Sequence, residues 1–266
     1  MNILFAVNTK VKQQLINCIY SIVRFNNRYD IYILHSDFGA EDIREIKDRF
    51  PKDVSITFIY VSPELTRGFP VSRRYPKEIY YRLFAAQVLP GDLDRILYLD
   101  ADTVVINPLD ELYGAEFDGA YYIGCTHIRK ALTKANQKRL GVKGGGVYIN
   151  TGVMLINLKK LREEQSLTEI REFAEKNASR LLLPDQDIIA ALYGRNIKTS
   201  DSMRYNLTER ALMLHNAGAR REKRDIEWVR QNTVIIHYIG KSKPWENGCS
   251  GTLGVFYDEL KASVNS

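Results

Sequence analysis

The order of local patterns in the first hundred residues is the feature that most constrains this chain. Apolar runs at 3–7, 29–34, 54–61 and 95–99 read as strands. Between them, 14–25, 41–50 and 78–88 carry apolar residues at helical spacing, with Leu15, Ile16, Ile19, Ile22 and Val23 on one stripe and Ile43, Ile46 and Phe50 on another. Pro90-Gly91 closes the third helix. Such alternation builds an open, mostly parallel sheet with helices on both faces, an α/β fold. Further on the pattern loosens. Strands are expected at 120–125, 147–157 and 233–238, helices at 159–161, 168–177 and 184–193, and a flexible or helical excursion at the charged stretch 220–231. No Pro/Ser linker, repeat or low-complexity tract interrupts the 266 residues, so a single domain is expected.

The formal net charge of +6 favours anionic partners: nucleotides, phosphorylated glycans, acidic membrane surfaces or nucleic acid. Motifs narrow that choice by their absence. Gly240-Lys241-Ser242 lacks the upstream glycine of a phosphate-cradling loop, and Gly144-Gly145-Gly146 does not continue into a dinucleotide fingerprint. No nucleic-acid-binding module is recognisable, which argues against a nucleic-acid partner. Basic patches such as 220–224 read first as solvated faces. Cys18, Cys125 and Cys249 are too scattered for a disulfide framework and read as reduced thiols. The N-terminus runs straight into a strand without signal-peptide features, and nothing approaches the run of about 18 apolar residues that spans a bilayer. A cytoplasmic protein is expected, with peripheral membrane contact available through its basic surface.

The sharpest local feature is Tyr98-Leu99-Asp100-Ala101-Asp102, an apolar strand that ends in two carboxylates. At extended spacing both would point the same way, beyond the carboxyl end of a strand, where open α/β sheets hold their ligands. Two like charges aimed at one point are easiest to explain with a cation between them. The competing reading is a surface turn with a capping aspartate before Pro108. His237 closes a late strand and is followed by Tyr238-Ile239-Gly240-Lys241-Ser242-Lys243-Pro244-Trp245, where a glycine permits close approach and lysine brings a charge suited to phosphate. Two carboxylates, an imidazole and diphosphate oxygens would suit manganese, with magnesium as the second choice.

These pieces, taken with Phe5-Ala6, Tyr81-Arg82-Leu83, the run from Asn150 to Leu158 and Pro184-Asp185-Gln186-Asp187, resemble the retaining family 8 glycosyltransferases. That family includes bacterial lipopolysaccharide galactosyl- and glucosyltransferases and, more distantly, glycogenin. The resemblance covers nearly the whole chain. It implies a glycosyltransferase-A fold, a Rossmann-like open mixed sheet, with 1–103 as the nucleotide-binding half and 104–266 shaping the sugar and acceptor site. It further implies a UDP-hexose donor, galactose or glucose, and a carbohydrate, lipid-linked or protein acceptor. By position, Asp100, Asp102 and His237 would be the metal ligands. Ala6, Asn8, Lys10, Arg82, Asp100, Ala101, Asn150, Asp185, Gly240 and Lys243 would bind the donor, and Asp185 and Gln186 would stand at the reacting sugar. For Arg82, Asn150 and Asp185 the plain structural alternatives are an ion pair, a turn residue and a helix cap.

The chain departs from the family in the loop after the first strand, Val7-Asn8-Thr9-Lys10-Val11, where an aspartate and then a tyrosine usually meet the uracil. Asn8 can still accept from the uracil N–H through its amide oxygen. Two other readings compete. Asp100-Ala101-Asp102-Thr103-Val104 also fits the nucleophile strand of a magnesium phosphatase of the haloacid dehalogenase type, and the altered loop fits a nucleotide-sugar-binding protein without turnover.

Overall fold

Strand β1 (Asn2–Ala6) divides the hydrophobic interior in two. Ile3 and Phe5 belong to one buried cluster and Leu4 and Ala6 to the other, as the two-residue period of a strand requires. Among the described residues the further strands are β2 (Asp30–His35), β3 (Ser55–Tyr60), β4 (Arg95–Leu99), β5 (Thr103–Val105), β6 (Tyr122–Cys125), β7 (Asn150–Asn157), β8 (Ile197–Ser200) and β9 (Ile235–His237). The α-helices are α1 (Lys12–Val23), α2 (Ala40–Asp48), α3 (Ala85–Val88), α4 (Asp110–Tyr113), α5 (Lys130–Arg139) and α6 (Leu158–Glu164). They continue with α7 (Leu167–Lys176), α8 (Pro184–Tyr193), α9 (Ser202–Tyr205), α10 (Glu209–Asn216), α11 (Ile226–Asn232) and α12 (Gly254–Val264). The computed structural model describes residues 1–25, 28–72, 75–128, 130–142, 145–218, 222–240, 243–246 and 251–264. Gly144, Arg220, Arg221, Lys241, Ser242 and Cys249 lie outside the described residues.

The main sheet has seven strands in the order β3-β2-β1-β4-β7-β6-β8. The first four pair in parallel, as the alternating N-terminal half implies. β7 enters antiparallel to both β4 and β6, so the sheet is mixed rather than mostly parallel. One face is covered by α1 and α2, whose Leu15, Ile16, Ile19, Ile22 and Ile46 are fully buried. The other is covered by residues from Tyr80 to Phe84 and by α6, α7 and α8, through Leu161, Ile170, Ile188 and Ile189. Each such side chain contributes about 1.5–3 kcal/mol by leaving water.

The segment expected as one helix at 78–88 is wound as a 3-10 helix over Lys77–Phe84 and as α only over α3. Tyr80 to Phe84 are all buried, so tertiary contacts on every side, not a solvent-facing stripe, decide its winding. The stretch expected as an excursion at 220–231 is held down where it is described. Asn216 exchanges two hydrogen bonds with the Arg224 backbone, and Arg230 makes a bidentate pair with Glu259. That part includes the helix α11, so the helical alternative holds there.

What positions the site is the small sheet. β5 follows Asp102 directly and pairs antiparallel with β9, with Thr103 opposite His237. A third apolar cluster, including Val104, Leu207, Leu212, Ile236 and Phe256, backs this ribbon. β5 follows the end of β4, which pairs with β1 at the point where strand order reverses and ligands enter open α/β sheets.

Candidate active site

β4 ends at Leu99, and the chain turns at once. The Thr103 backbone N–H and hydroxyl both donate to the Asp100 carbonyl, at 3.2 and 2.9 Å. The two aspartates therefore converge through a tight turn, not from one face of an extended strand as the spacing predicted. Ala101, inside the turn, packs against the main core.

Asp100, Asp102 and His237 each offer one ligand atom, and these atoms lie within 4.8 Å of one another. Each residue is gripped by its other atom. Asp100 Oδ1 accepts from Arg82 at 3.0 Å and from the Tyr98 hydroxyl at 2.8 Å, which leaves Oδ2 toward His237 Nε2 at 3.7 Å. Asp102 Oδ2 accepts from Lys243 Nζ at 2.6 Å, which leaves Oδ1 3.0 Å from Nε2. His237 Nδ1 lies 3.0 Å from Asn206 Oδ1. Asp102 Oδ1 is buried and has no hydrogen-bond partner, an arrangement that costs about 1–3 kcal/mol unless a cation meets it. A divalent ion with ligand distances of about 2.1 Å spaces its ligands about 3 Å apart when adjacent and about 4 Å when opposite. The residues present fit such an ion. Burial pushes the Asp102 carboxyl up, but His237 and Lys243 outweigh it and hold the group well below the usual carboxylate range.

Gly152, on β7, completes the cradle. Its carbonyl accepts from Asp100 N at 2.8 Å, and a Cβ there would lie 2.2 Å from His237 Cε1 and 2.6 Å from Asp100 Oδ2. Only glycine leaves the ligands room. Gly152→Ala is expected to weaken Mn2+ binding at least tenfold, as measured by the paramagnetic resonance of free Mn2+, while the melting transition stays cooperative. Unchanged affinity in the folded variant would mean that the ion does not sit between these groups.

Around this centre lies a second ring. Arg82, 5% exposed, donates to the Thr151 carbonyl at 2.8 Å and to Asp100, approaches Asp185 Oδ2 at 3.3 Å and stacks 4.2 Å over the Tyr98 ring centroid. Asp185 opens α8 and accepts from the Thr151 hydroxyl at 2.6 Å. Burial pushes its carboxyl up, with Arg82 and Thr151 opposing. Gln186 follows on α8, half-buried. Asn150 turns its side-chain oxygen inward, to Gly152 N at 3.1 Å and Asn206 Nδ2 at 3.0 Å. Arg82, Asp100, Asp102, Asn150, Asp185, His237 and Lys243 thus form one connected cluster.

The remaining expected donor residues are not bonded into that cluster. Ala6 ends β1. Asn8 caps the turn at Thr9–Val11, its oxygen accepting from Lys10 N at 3.2 Å, and its amine donates to Glu78 at 3.3 Å. The Lys10 side chain is exposed. Gly240 has φ 104, a region that favours glycine, three residues before Lys243. Four contributors escaped sequence reasoning: Tyr98, Gly152, Asn206 and the buried Glu78, which also accepts from the Ser36 hydroxyl at 3.2 Å. Tyr98 and Gly152 stood inside motifs that read as core strands. The other two carry no local signal. Cavities of about 390 and 490 Å³ elsewhere, beside Phe173 and beside Trp245, are not lined by the carboxylates or His237. Chemistry, not cavity size, marks this site.

The model for glycosyl transferase family 8 matches residues 2–249. The chain belongs to that family. A lipopolysaccharide 1,2-glucosyltransferase of Escherichia coli is 27% identical over 238 residues, covering 86% of this chain and 68% of the relative. General stress protein A of Bacillus subtilis is 23% identical over 223 residues, covering 82% and 76%. The crystal structure of the galactosyltransferase LgtC in complex with donor and acceptor sugar analogs superposes with a TM-score of 0.82 at 25% identity, covering all of this chain and 97% of that one. The fold is of the glycosyltransferase-A type. A family 8 chain carries the Asp-Ala-Asp turn as a glycosyltransferase does, which removes the phosphatase reading. Among the described residues no helix is long and apolar enough to cross a membrane.

Proposed function

We propose that this family 8 glycosyltransferase moves a hexose, galactose or glucose, from a UDP-sugar to a carbohydrate, lipid-linked or protein acceptor with retention of anomeric configuration. We read the chain as one domain, 1–103 binding the nucleotide and 104–266 shaping the sugar and acceptor site. A cytoplasmic enzyme that meets membrane-borne acceptors through its basic surface is consistent with a formal charge of +6. The observation that carries the reading is the convergence of Asp100 Oδ2, Asp102 Oδ1 and His237 Nε2 beyond β4, at the switch point of the sheet.

The mixed oxygen and nitrogen set favours manganese, with magnesium second; the ion would stabilise the charge that grows on the departing diphosphate. Lys243, with one N–H left after Asp102 and the Tyr238 carbonyl, would donate to a diphosphate oxygen. Gly240, which has no Cβ, lets its own backbone approach that group closely. Arg82 holds Asp100 and Asp185 in register and lies beside the donor. Asp100 and Ala101 lie near the ribose, and Ala6, Asn8 and Lys10 near the base. Asn150, through its amine, and Asp185 would hold sugar hydroxyls. Gln186 stands against the face of the reacting sugar. An amide is a poor nucleophile, so front-face attack by the acceptor, guided by the leaving phosphate, is favoured over a covalent intermediate. The test is turnover of UDP-galactose and UDP-glucose with Mn2+, with hydrolysis read in the absence of acceptor. UDP-hexose binding without any hydrolysis or transfer would instead support a binding protein.

Base recognition should be relaxed. Asn8 has no carboxylate charge, one of its oxygen lone pairs already caps Lys10, and Val11 offers no aromatic face. Competition by CDP, ADP and GDP against UDP is expected to differ by less than about tenfold, the loss of one hydrogen bond's discrimination. A strong preference for UDP that survives Asn8→Ala would sink this assignment.

A further inference from the structure

The hydrogen bond between His237 Nδ1 and Asn206 Oδ1 could in principle run either way, because an imidazole nitrogen can donate or accept and an amide can be turned round. A chain of contacts removes that freedom, and it starts from a group with no choice. The Gly152 backbone N–H can only donate, and it points at the Asn150 side chain at 3.1 Å. Asn150 must therefore present its oxygen there. That same oxygen faces the Asn206 side chain at 3.0 Å, so Asn206 must present its amine to Asn150. The Asn206 oxygen is then the atom turned to His237. An amide oxygen only accepts, so Nδ1 carries the proton. In the neutral ring that leaves the lone pair on Nε2, and it is Nε2 that faces Asp102 Oδ1 at 3.0 Å and Asp100 Oδ2 at 3.7 Å.

Asn206 is well placed for this work. It is fully buried, and its backbone is fixed against β9: Leu207 N donates to the Ile235 carbonyl at 2.9 Å and His237 N to the Leu207 carbonyl at 2.8 Å. We propose that Asn206 is the positioning residue of the metal centre: it selects the Nδ1–H tautomer of His237 and aims Nε2 at the two carboxylates. The proposal rests on the reading of Asp100, Asp102 and His237 as ligands of a divalent cation. Outer-shell partners of a ligating histidine typically change metal affinity by about 10- to 100-fold when removed.

The experiment uses the full chain with Mn2+ as the only added ligand. Free Mn2+ is followed by paramagnetic resonance, and the His237 ring nitrogens by long-range proton–nitrogen NMR without metal. The parent is expected to show a protonated Nδ1. Asn206→Leu, of similar volume, is expected to bind Mn2+ about 10- to 100-fold more weakly and to lose the single tautomer. Asn206→Asp keeps an acceptor toward Nδ1–H but loses the donor to the Asn150 oxygen, and is expected to restore the tautomer and only part of the affinity. A parent whose neutral ring carries its proton on Nε2 and not on Nδ1 overturns the proposal, whether or not the leucine variant folds. So does a folded Asn206→Leu with parental affinity. In either case Asp102→Asn tells which reading failed: if that variant still loses Mn2+, only the role of Asn206 is wrong, and if it does not, the metal centre itself is.

Discussion

Asp102→Asn is expected to abolish manganese-dependent UDP binding and leave the fold intact. The reason lies in how the carboxylate is divided. Oδ2 is occupied by Lys243, while Oδ1 is buried, without a hydrogen-bond partner and 3.0 Å from His237 Nε2. Two acceptors held that close repel unless a cation lies between them. An amide in the same place changes the chemistry and not the shape. Its NH2 can donate to Nε2, so the orphan is satisfied and no void is made. Some stability is lost with the Lys243 ion pair, but the amide oxygen can still accept from Nζ, so the thermal transition should stay cooperative. The metal loses a charged ligand and meets a donor instead. Calorimetry of UDP with and without Mn2+, alongside a thermal melt, separates the two effects. A weakening of at least about a hundredfold is expected, since even outer-shell partners account for 10- to 100-fold. A variant that binds UDP and Mn2+ as tightly as the parent would falsify the ligand assignment.

That site is only partly written in local sequence. α1 and α2 are legible because each has one apolar stripe facing the sheet, and the stripe's period names the element, while β1, β2 and β3 are legible as short apolar and aromatic runs. β4 and β7 are legible as apolar runs because both faces of the sheet are covered. β5 is not. Its three residues follow a turn whose carboxylates dominate the reading, and only pairing with β9 makes it a strand. Yet β5 is what carries His237 to Asp102. β8 is equally short and half-polar, and α10 and α12 pack on the third apolar cluster, formed only after β9 returns. The direction of β7 is likewise invisible, because an apolar run has no polarity.

Candidate residues divide the same way. Asp100, Asp102, His237, Arg82 and Lys243 were reachable through family resemblance, and the structure brings them together. Asn206 was not. It lies 31 residues before the histidine it touches, in a stretch outside every motif that carries the resemblance. Gly152 sits in a run that reads as core, and its purpose appears only when an added Cβ is seen to strike His237. Glu78 reads as an acid near a helix start, although it is buried and holds the Asn8 amide. In each case the information is the meeting of distant elements, which no spacing rule encodes.

Lys243→Met is expected to move metal and donor binding in opposite directions. Nζ lies 2.6 Å from Asp102 Oδ2, also donates to the Tyr238 carbonyl, and sits 5.5 Å from the Trp245 ring centroid. An ammonium has three N–H groups, so one remains for a phosphate oxygen. Methionine keeps much of the stem but removes the charge, and with it the contact of Nζ with the Trp245 ring. Without donor, Asp102 then loses a competing cation, and Mn2+ should bind at least as tightly as in the parent. With donor, the lost charge-assisted bond is worth about 1.5–3 kcal/mol, or roughly ten- to a hundredfold. The larger share should fall on turnover, because charge on the leaving oxygen grows toward the transition state. Lys241→Met, two residues earlier and outside the described residues, should do much less. The measurements are Mn2+ affinity without nucleotide, UDP affinity with Mn2+, and turnover of UDP-hexose on both variants. A Lys243→Met protein that loses Mn2+ affinity would make the lysine part of the metal centre's scaffold, not a diphosphate ligand. Damage from Lys241→Met with a silent Lys243→Met would mean that the other lysine holds the diphosphate, with the loop's assignment shifted by two residues.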